Sequence, residues 1–377
     1  VSEPGKEGAA GTDRQQGSRW FRVYVVPAAV FQSALIGGGY GSGREVVEFF
    51  TLQGVTGGLL GLVVAALTFA VILALTYEFA RCFAAYDYRH FFKTLIGPAW
   101  VVYEATYLIG ITLVLAIIGS VAGDILHDQL GWPGWVSTAL ILVSVTVMAF
   151  YGRELVARIM TGWAVLLSCI FVLFFVLVVA RFGPAMREAL VTGTVEPGWA
   201  RKGLQFGLYN VALVPALLFS VRAIATRREA LSAALIAAVA AVFPAVLFHL
   251  AFAARHAGIA AQPLPTYWMI GLLGAGWFMA LYLIGLFGTL VQTGIGLIQG
   301  LIERIDGWRI DRQRPPLTRS RHALLALLMI TASGLLSAFG VIALVARGYG
   351  LLAWVSLAIY QLPLLTIGIA RLVRRGR

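Results

Sequence analysis

Charge is scarce in this 377-residue sequence: Asp, Glu, Lys and Arg together make up 12% of it, against 60% hydrophobic residues. Soluble domains carry about 25% charged residues, so this composition excludes an ordinary water-exposed globule and implies a polytopic membrane protein. Cysteine is nearly absent. Cys82 and Cys169 lie in or beside apolar runs, give no metal-ligand spacing and predict no disulfide. There is no phosphate loop, paired-His metal motif or nucleophile elbow, so nothing points to an enzyme or an organic cofactor. The net charge of +12 is the one feature that suggests nucleic acid. Its basic residues sit in short clusters between apolar runs, however, which is the pattern of cytoplasmic loops. The expected partners are therefore the lipid bilayer and a small-molecule substrate, with no nucleic acid.

Apolar runs bounded by charges give ten spans, since a helix needs about 20 apolar residues to cross. The first runs from Trp20 to about Gln53 and the second lies between Phe49 and Tyr77. The third covers Pro98 to Val121, the fourth Gly134 to Tyr151 and the fifth Ile159 to Ala180. A polar connector, 181–202, separates this half (20–180) from a second half (203–371). There the sixth span covers Gly203 to Val221 and the seventh Leu231 to Phe252. Pro263 and Pro265 divide the uncharged stretch from Ala257 to Ile302 into an interfacial loop and an eighth span, about Gly274 to Glu303. The ninth runs from His322 to about Val345, Arg347 to Gly350 reads as a turn, and Leu351 to Ala370 is the tenth. The transmembrane domain is thus 19–377. Residues 1–18 are polar and read as a disordered cytoplasmic tail, with no cleavable signal peptide before the first span. Most of the 29 Lys and Arg fall on the side that holds both termini, which the positive-inside rule makes the cytoplasm.

Two of these spans are interrupted. In IGGGYGSGREVVEFF, Ile36 to Phe50, five of seven residues from Gly37 to Gly43 are glycine, and Arg44, Glu45 and Glu48 follow. Glycine costs roughly 1 kcal/mol relative to alanine inside a helix, so a break is expected here. In the sixth span Asn210 and Pro215 predict a second break, near Val211 to Pro215. Broken backbone at membrane depth is tolerated where protein buries it or it lines a cavity. Matching breaks in the first span of each five-span half point to inverted repeats with a site between them. Glycine-mediated helix packing is the plainer reading of the first run.

The run GGGYGSGREVVEFF resembles the first-helix signature of bacterial YkvI-type membrane proteins, and FGVIALVARGYG, Phe339 to Gly350, resembles that family's ninth-to-tenth helix junction. YNVAL, Tyr209 to Leu213, is a weaker match, and Arg44 stands where the family has Gln. The resemblance implies the amino acid–polyamine–organocation (APC) superfamily and its all-α, LeuT-type fold of ten transmembrane helices, a 5+5 inverted repeat with helices 1 and 6 broken. It also implies a multi-pass protein of the bacterial inner membrane. The function it implies is a secondary transporter, a symporter of a small polar or zwitterionic solute such as an amino acid or amine. The alternative on the same scaffold is a non-transporting ligand-sensing receptor subunit.

On that fold the broken helices face each other. Free amides around Ser42 to Glu45 are expected to hold an anionic group, and carbonyls of Gly37 to Gly41 a cation or amine. Candidate substrate contacts are Gly39, Tyr40, Gly41, Ser42, Gly43, Tyr209 and Asn210, with Tyr103 and Tyr107 sharing a face of the third span. Tyr40 and Tyr209 are equally readable as packing residues with one hydroxyl bond. Glu45 and Glu104 are candidate ion-coupling groups, because intramembrane carboxylates face a cavity, pair with a base or relay protons. For Glu104 the competing reading is a pair with a buried Arg or a hydroxyl. Arg44 and Glu48 are i, i+4 and can pair on a helix end. The resemblance implies a coupling Na+ near Gly37, Thr289 and Thr293, against the simpler expectation that each threonine hydroxyl bonds its own helix backbone. His249 is expected near the outer interface, snorkelling. No Lys occurs in the fifth span.

Overall fold

A computed structural model describes residues 19–151, 153–310 and 312–375, with side chains except at 148–165, 257 and 319. The expected polar tail, 1–18, lies outside the described residues. Every named element is helical. The first apolar segment forms α1 (Phe21–Leu35), a turn α2 (Gly38–Gly41) and α3 (Arg44–Phe49), followed by α4 (Val55–Phe83). Then come α5 (Tyr88–Ile96), α6 (Trp100–Leu130), α7 (Gly134–Tyr151) and α8 (Arg153–Thr192). The second half opens with α9 (Trp199–Val211), bent by 60° into a 3₁₀ segment, Val214–Val221. It continues through α10 (Arg227–Ala253), the short α11 (His256–Ile259) and α12 (Pro265–Leu273), α13 (Gly276–Ile310), α14 (Arg319–Ser337) and a last helical run α15, Gly340–Arg375.

Among the described residues, seven helical stretches are long and apolar enough to cross a membrane, or eight if α9 and the 3₁₀ segment are one bent span; Phe21–Leu35 and Gly134–Val147 are apolar but shorter. The chain is a multi-pass membrane protein. Its long helices turn apolar side chains outward, as Leu60, Val63, Leu67 and Val71 do on α4, which is what lipid contact requires.

Local chemistry sets the ends. Asp87 caps α5, its Oδ1 accepting the His90 amide at 2.9 Å. Thr226 and Glu229 form a reciprocal capping box on α10, and Arg19 at the head of α1 pairs with Glu229 at 2.6 Å. Gly340 takes φ +77° between α14 and α15, a left-handed residue that ends one helix and lets the next begin.

That glycine corrects a sequence expectation. The turn before the last span lies at Ala338 to Gly340, and Arg347 to Gly350 is helical. Gly348 is small for packing: a Cβ there would overlap the Leu113 side chain on α6. The helix α8 also runs to Thr192, into the segment expected to be a polar connector from 181, and α6 and α13 continue to Leu130 and Ile310. Polar residues at these ends prolong helices instead of breaking them.

Small residues set the central packing. Ala230, Ala233, Ala234, Ala237, Ala238 and Ala241 make a fully buried stripe on α10, which packs along α4. α9 crosses the other flank of α4, where a Cβ on Gly203 would run into the Gly61 backbone. Membrane helices associate through such close approaches, because lipid tails supply no hydrophobic drive between helices. We expect Gly203→Ala to cost about 1–3 kcal/mol through overpacking, read as a lower melting temperature in detergent. Gly296→Ala, where a Cβ meets nothing within 4 Å, should leave it unchanged.

Candidate functional site

The two breaks meet at a cavity. α1 stops at Leu35; Ile36 turns the chain with ψ 79° and Gly37 is extended with ψ −164°. Gly38 to Gly41 then form a helical turn, Gly43 takes φ +82°, and α3 starts with Arg44 and Glu45. The break thus falls at Ile36–Gly37, where the glycine cluster begins. The glycines after Gly37 serve close packing: a Cβ on Gly39 would overlap the Glu45 carboxylate, and one on Gly43 would press on Phe252 and Thr266.

Glu45 is 3% exposed, and among the described residues it has no cation partner. Its Oε2 accepts a hydrogen bond from the hydroxyl of Tyr209, in the last turn of α9 before the second break. The Tyr209 ring stacks on Tyr349 of α15, centroids 4.5 Å apart and planes at 16°. These three side chains wall a cavity of about 80 Å³ whose other sides include Tyr103, Tyr107, Asn210 and Thr293. At roughly 10–15 Å³ per water, that is room for several waters or a small organic molecule. Gly37, Thr106, Ala212 and Leu213 complete the wall near the breaks.

The structure sorts the expected residues. Glu45, Tyr103, Tyr107, Tyr209, Asn210, Thr293 and Gly37 line the cavity. Gly39, Tyr40, Gly41, Ser42, Gly43, Glu104 and Thr289 do not. Tyr40 is fully buried against Phe206 and Phe248, and its hydroxyl donates to Ala241 O at 3.3 Å. The expectation of free amides around Ser42 to Glu45 is corrected at its first three positions: Ser42 N–H donates to Gly38 O, Gly43 N–H to Tyr40 O and Arg44 N–H to Ser42 Oγ. The carbonyls of Gly37 to Gly41 are engaged too, Gly37 O by Gly41 N–H, Gly39 O by Ser42 Oγ and Gly41 O by the Tyr282 hydroxyl. The run refolds as a helical turn, and helical turns consume their own backbone groups. Thr289 donates to Gly285 O at 2.9 Å, within its own helix. His249 is buried, its Nε2 2.8 Å from Val55 O and its Nδ1 3.2 Å from Thr51 Oγ1, and it does not snorkel.

Among the cavity residues that sequence reasoning overlooked, Thr106 and Tyr349 carry polar side chains; Tyr349 is the one that stacks on Tyr209. It lay in the stretch read as a turn, where no side chain was expected to face a site.

Arg304 packs behind Tyr107, outside the cavity lining. Its guanidinium carbon lies 3.7 Å from the Tyr88 ring centroid and 3.6 Å from that of Tyr107. Its Nη1 meets Glu104 Oε2 at 3.2 Å, Arg89 Nε stands 4.0 Å from Glu104 Oε1, and Arg89 Nη2 donates to Arg304 O at 2.6 Å. Glu104 therefore sits in an ion pair behind the cavity wall. Arg44 is 1% exposed. It donates to Ala260 O at 2.9 Å and Gln262 O at 3.1 Å and pairs with Glu48 at 3.1 Å. Lys202 of α9 meets the other Glu48 oxygen at 2.7 Å. One cluster thus fastens α3 to α9 and to the 254–264 loop.

No protein-family model matches the chain, and no curated protein sequence matches it. Among solved structures it is similar to the manganese transporter of Eremococcus coleocola. A mutant form of that protein gives a TM-score of 0.50 at 11% identity, over 97% of this chain and 88% of that chain. The same transporter in complex with an aromatic bis-isothiourea substituted compound gives 0.47 at 12% identity, over 100% and 98%. At 11% identity the first likeness is one of fold.

Arg304→Lys keeps a charge opposite Glu104 but loses the planar stack on two rings, an expected cost of about 1–2 kcal/mol. In a background without Cys82 and Cys169, it should speed labelling of Thr293→Cys by an impermeant thiol reagent applied on the α13–α14 loop side. An unchanged rate would mean that the stacked guanidinium does not hold the Tyr107 wall in place.

Proposed function

We propose that this protein is a secondary transporter of a small polar solute, an amino acid or related amine, working by alternating access. The observation that carries this reading is the Glu45–Tyr209 hydrogen bond, which joins the two broken spans inside a cavity between them. Discontinuous helices commonly build transporter sites, and the solved structure of similar fold is described as a manganese transporter. We read the two shorter apolar helices and the bent span as crossings beside the seven long ones. That gives ten, in a LeuT-type 5+5 inverted repeat of the kind the YkvI-type resemblance implies, with both termini in the cytoplasm of a bacterial cell.

The packing supports that arrangement. An inverted repeat exchanges spans 1 with 6, 2 with 7, 3 with 8 and 4 with 9, so contacts should come in exchanged pairs. α1 packs on α10 as α9 packs on α4; α6 packs on α14 as α13 packs on α7. α4 and α10, which exchange with each other, share the most extensive interface.

The cavity's chemistry favours an amine. It offers one carboxylate, four tyrosine rings and no cationic side chain, a set that attracts an ammonium by charge and by ring faces. A divalent metal draws several hard oxygens, and among the described residues no three of His, Cys, Asp and Glu gather to hold one. With the amides of Ser42 to Arg44 engaged, a substrate carboxylate would turn to Asn210 and Thr293. An unpaired carboxylate buried at this depth is costly, and Glu45 is relieved by a proton or by the substrate's own charge. Coupling to H+ runs through Glu45 on this reading, and coupling to Na+ through Thr293 with backbone near Gly37.

Uptake of amines and amino acids into proteoliposomes under separate Na+ and pH gradients tests this. Glu45→Gln should abolish uptake and the ligand-induced thermal shift while the protein still inserts. Tyr209→Phe, losing one charge-assisted hydrogen bond, should weaken binding by about tenfold. For amines without a carboxylate, Thr293→Val should reduce uptake only if Na+ drives it. Saturable binding without flux would turn the reading to the ligand-sensing receptor.

A further inference from the structure

A second, larger cavity lies away from the breaks, between α6, α7 and α14, at the membrane face opposite the termini. Its volume is about 520 Å³, within the usual range of about 300–1,000 Å³ for small-molecule sites. Asp124 supplies the one formal charge on its wall. The carboxylate is half-buried, six residues before the end of α6, and among the described residues no hydrogen bond or ion pair reaches it. The titratable neighbours that bear on it are Asp128 and His127, on the same helix, and the His127 ring is tied to Trp132 O at 2.6 Å. Neither α7 nor α14 brings a cation to the wall.

The rest of the wall is divided. Ser120 and Thr138 stand near Asp124, and Trp135, 76% exposed, flanks the mouth. Leu142, Ile330 and Leu335 form an apolar side. A Cβ on Gly334 would meet nothing within 4 Å, so α14 leaves space there. Ionisable residues inside a membrane protein are expensive and mark sites with a partner, and no such partner for Asp124 is found among the described residues.

We propose that this crevice binds an amphipathic amine, its ammonium on Asp124 and beside the Trp135 ring, its hydrocarbon along Leu142, Ile330 and Leu335. A carboxylate and a tryptophan face both favour a cation, and a mostly apolar wall favours a chain or ring attached to it. The wall has no cationic group to neutralise a phosphate, so the ligand is a free amine and not an aminophospholipid. The site is separate from the central cavity and stands whether or not the chain transports anything.

The test uses the full chain in phosphatidylcholine nanodiscs with nitroxide-labelled dodecylamine, followed by electron paramagnetic resonance. The wild type should show a saturable immobilised component of one probe per chain. Asp124→Asn should weaken it by about tenfold or more, and Gly334→Phe, which fills the crevice, should remove it. Glu45→Gln should leave it intact. Nitroxide-labelled lauric acid should show no such component. Equal binding by Asp124→Asn, or equal binding of the acid, would overturn the role of the carboxylate. Loss in Glu45→Gln alone would move the amine to the central cavity, and displacement by phosphatidylethanolamine would overturn the choice of a free amine.

Discussion

Backbone groups at a broken helix have no water to fall back on inside a bilayer, and each unsatisfied one costs several kcal/mol. The core of this structure is arranged around that constraint. At the second break Tyr103 donates to Ala212 O at 3.0 Å, while Gln361 and Ser356 of α15 serve Leu208 O at 3.1 and 3.4 Å. At the first, Tyr282 serves Gly41 O at 3.2 Å and the Thr266 amide serves Ser42 O at 3.0 Å. The donors come from four different helices. Satisfying the breaks therefore also gathers α6, α12, α13 and α15 around one point, and the cavity is the space their side chains leave.

This accounts for Tyr103 among the cavity tyrosines. A tyrosine reaches a distant carbonyl with a single hydroxyl while its ring fills apolar volume. Tyr103 shows both roles, bonding Ala212 O and stacking on Phe92 with centroids 3.9 Å apart. A residue that repairs the backbone and also faces the cavity couples the shape of the break to whatever occupies the site.

Much of this was legible in the sequence, and what was not has physical causes. Scarce charge and the lengths of apolar runs gave the membrane class, because bilayer thickness leaves few alternatives. The 60° bend near Pro215 follows from a missing amide. Glu45, Tyr209 and Asn210 were visible because polar groups are rare in such runs. The glycine run was harder to read. Glycine marks both helix breaks and tight crossings, and here one cluster does both: Gly37 is extended, whereas Gly39 gives room to Glu45 and Gly43 to Phe252. Glu104 illustrates a separate limit. Its partner Arg304 is 200 positions away, and nothing local in the sequence reports that pairing. Tyr349 and the Arg347–Gly350 segment failed for the same reason as the glycine run, since Gly348 reads as a turn residue and acts as a packing surface against Leu113.

The head of α1 adds a mechanical point. Between Phe21 and Leu35 it is a rod of about 20 Å, at about 1.5 Å per residue, with a bend at Ile36–Gly37 and an ion pair at its tip. The pair is Arg19–Glu229, whose arginine is half exposed, and such surface pairs hold about 0–1 kcal/mol. That is comparable to thermal energy, so the position of α1 is set by its packing along α10, where Val23 and Phe31 are buried, and not by the pair at its tip.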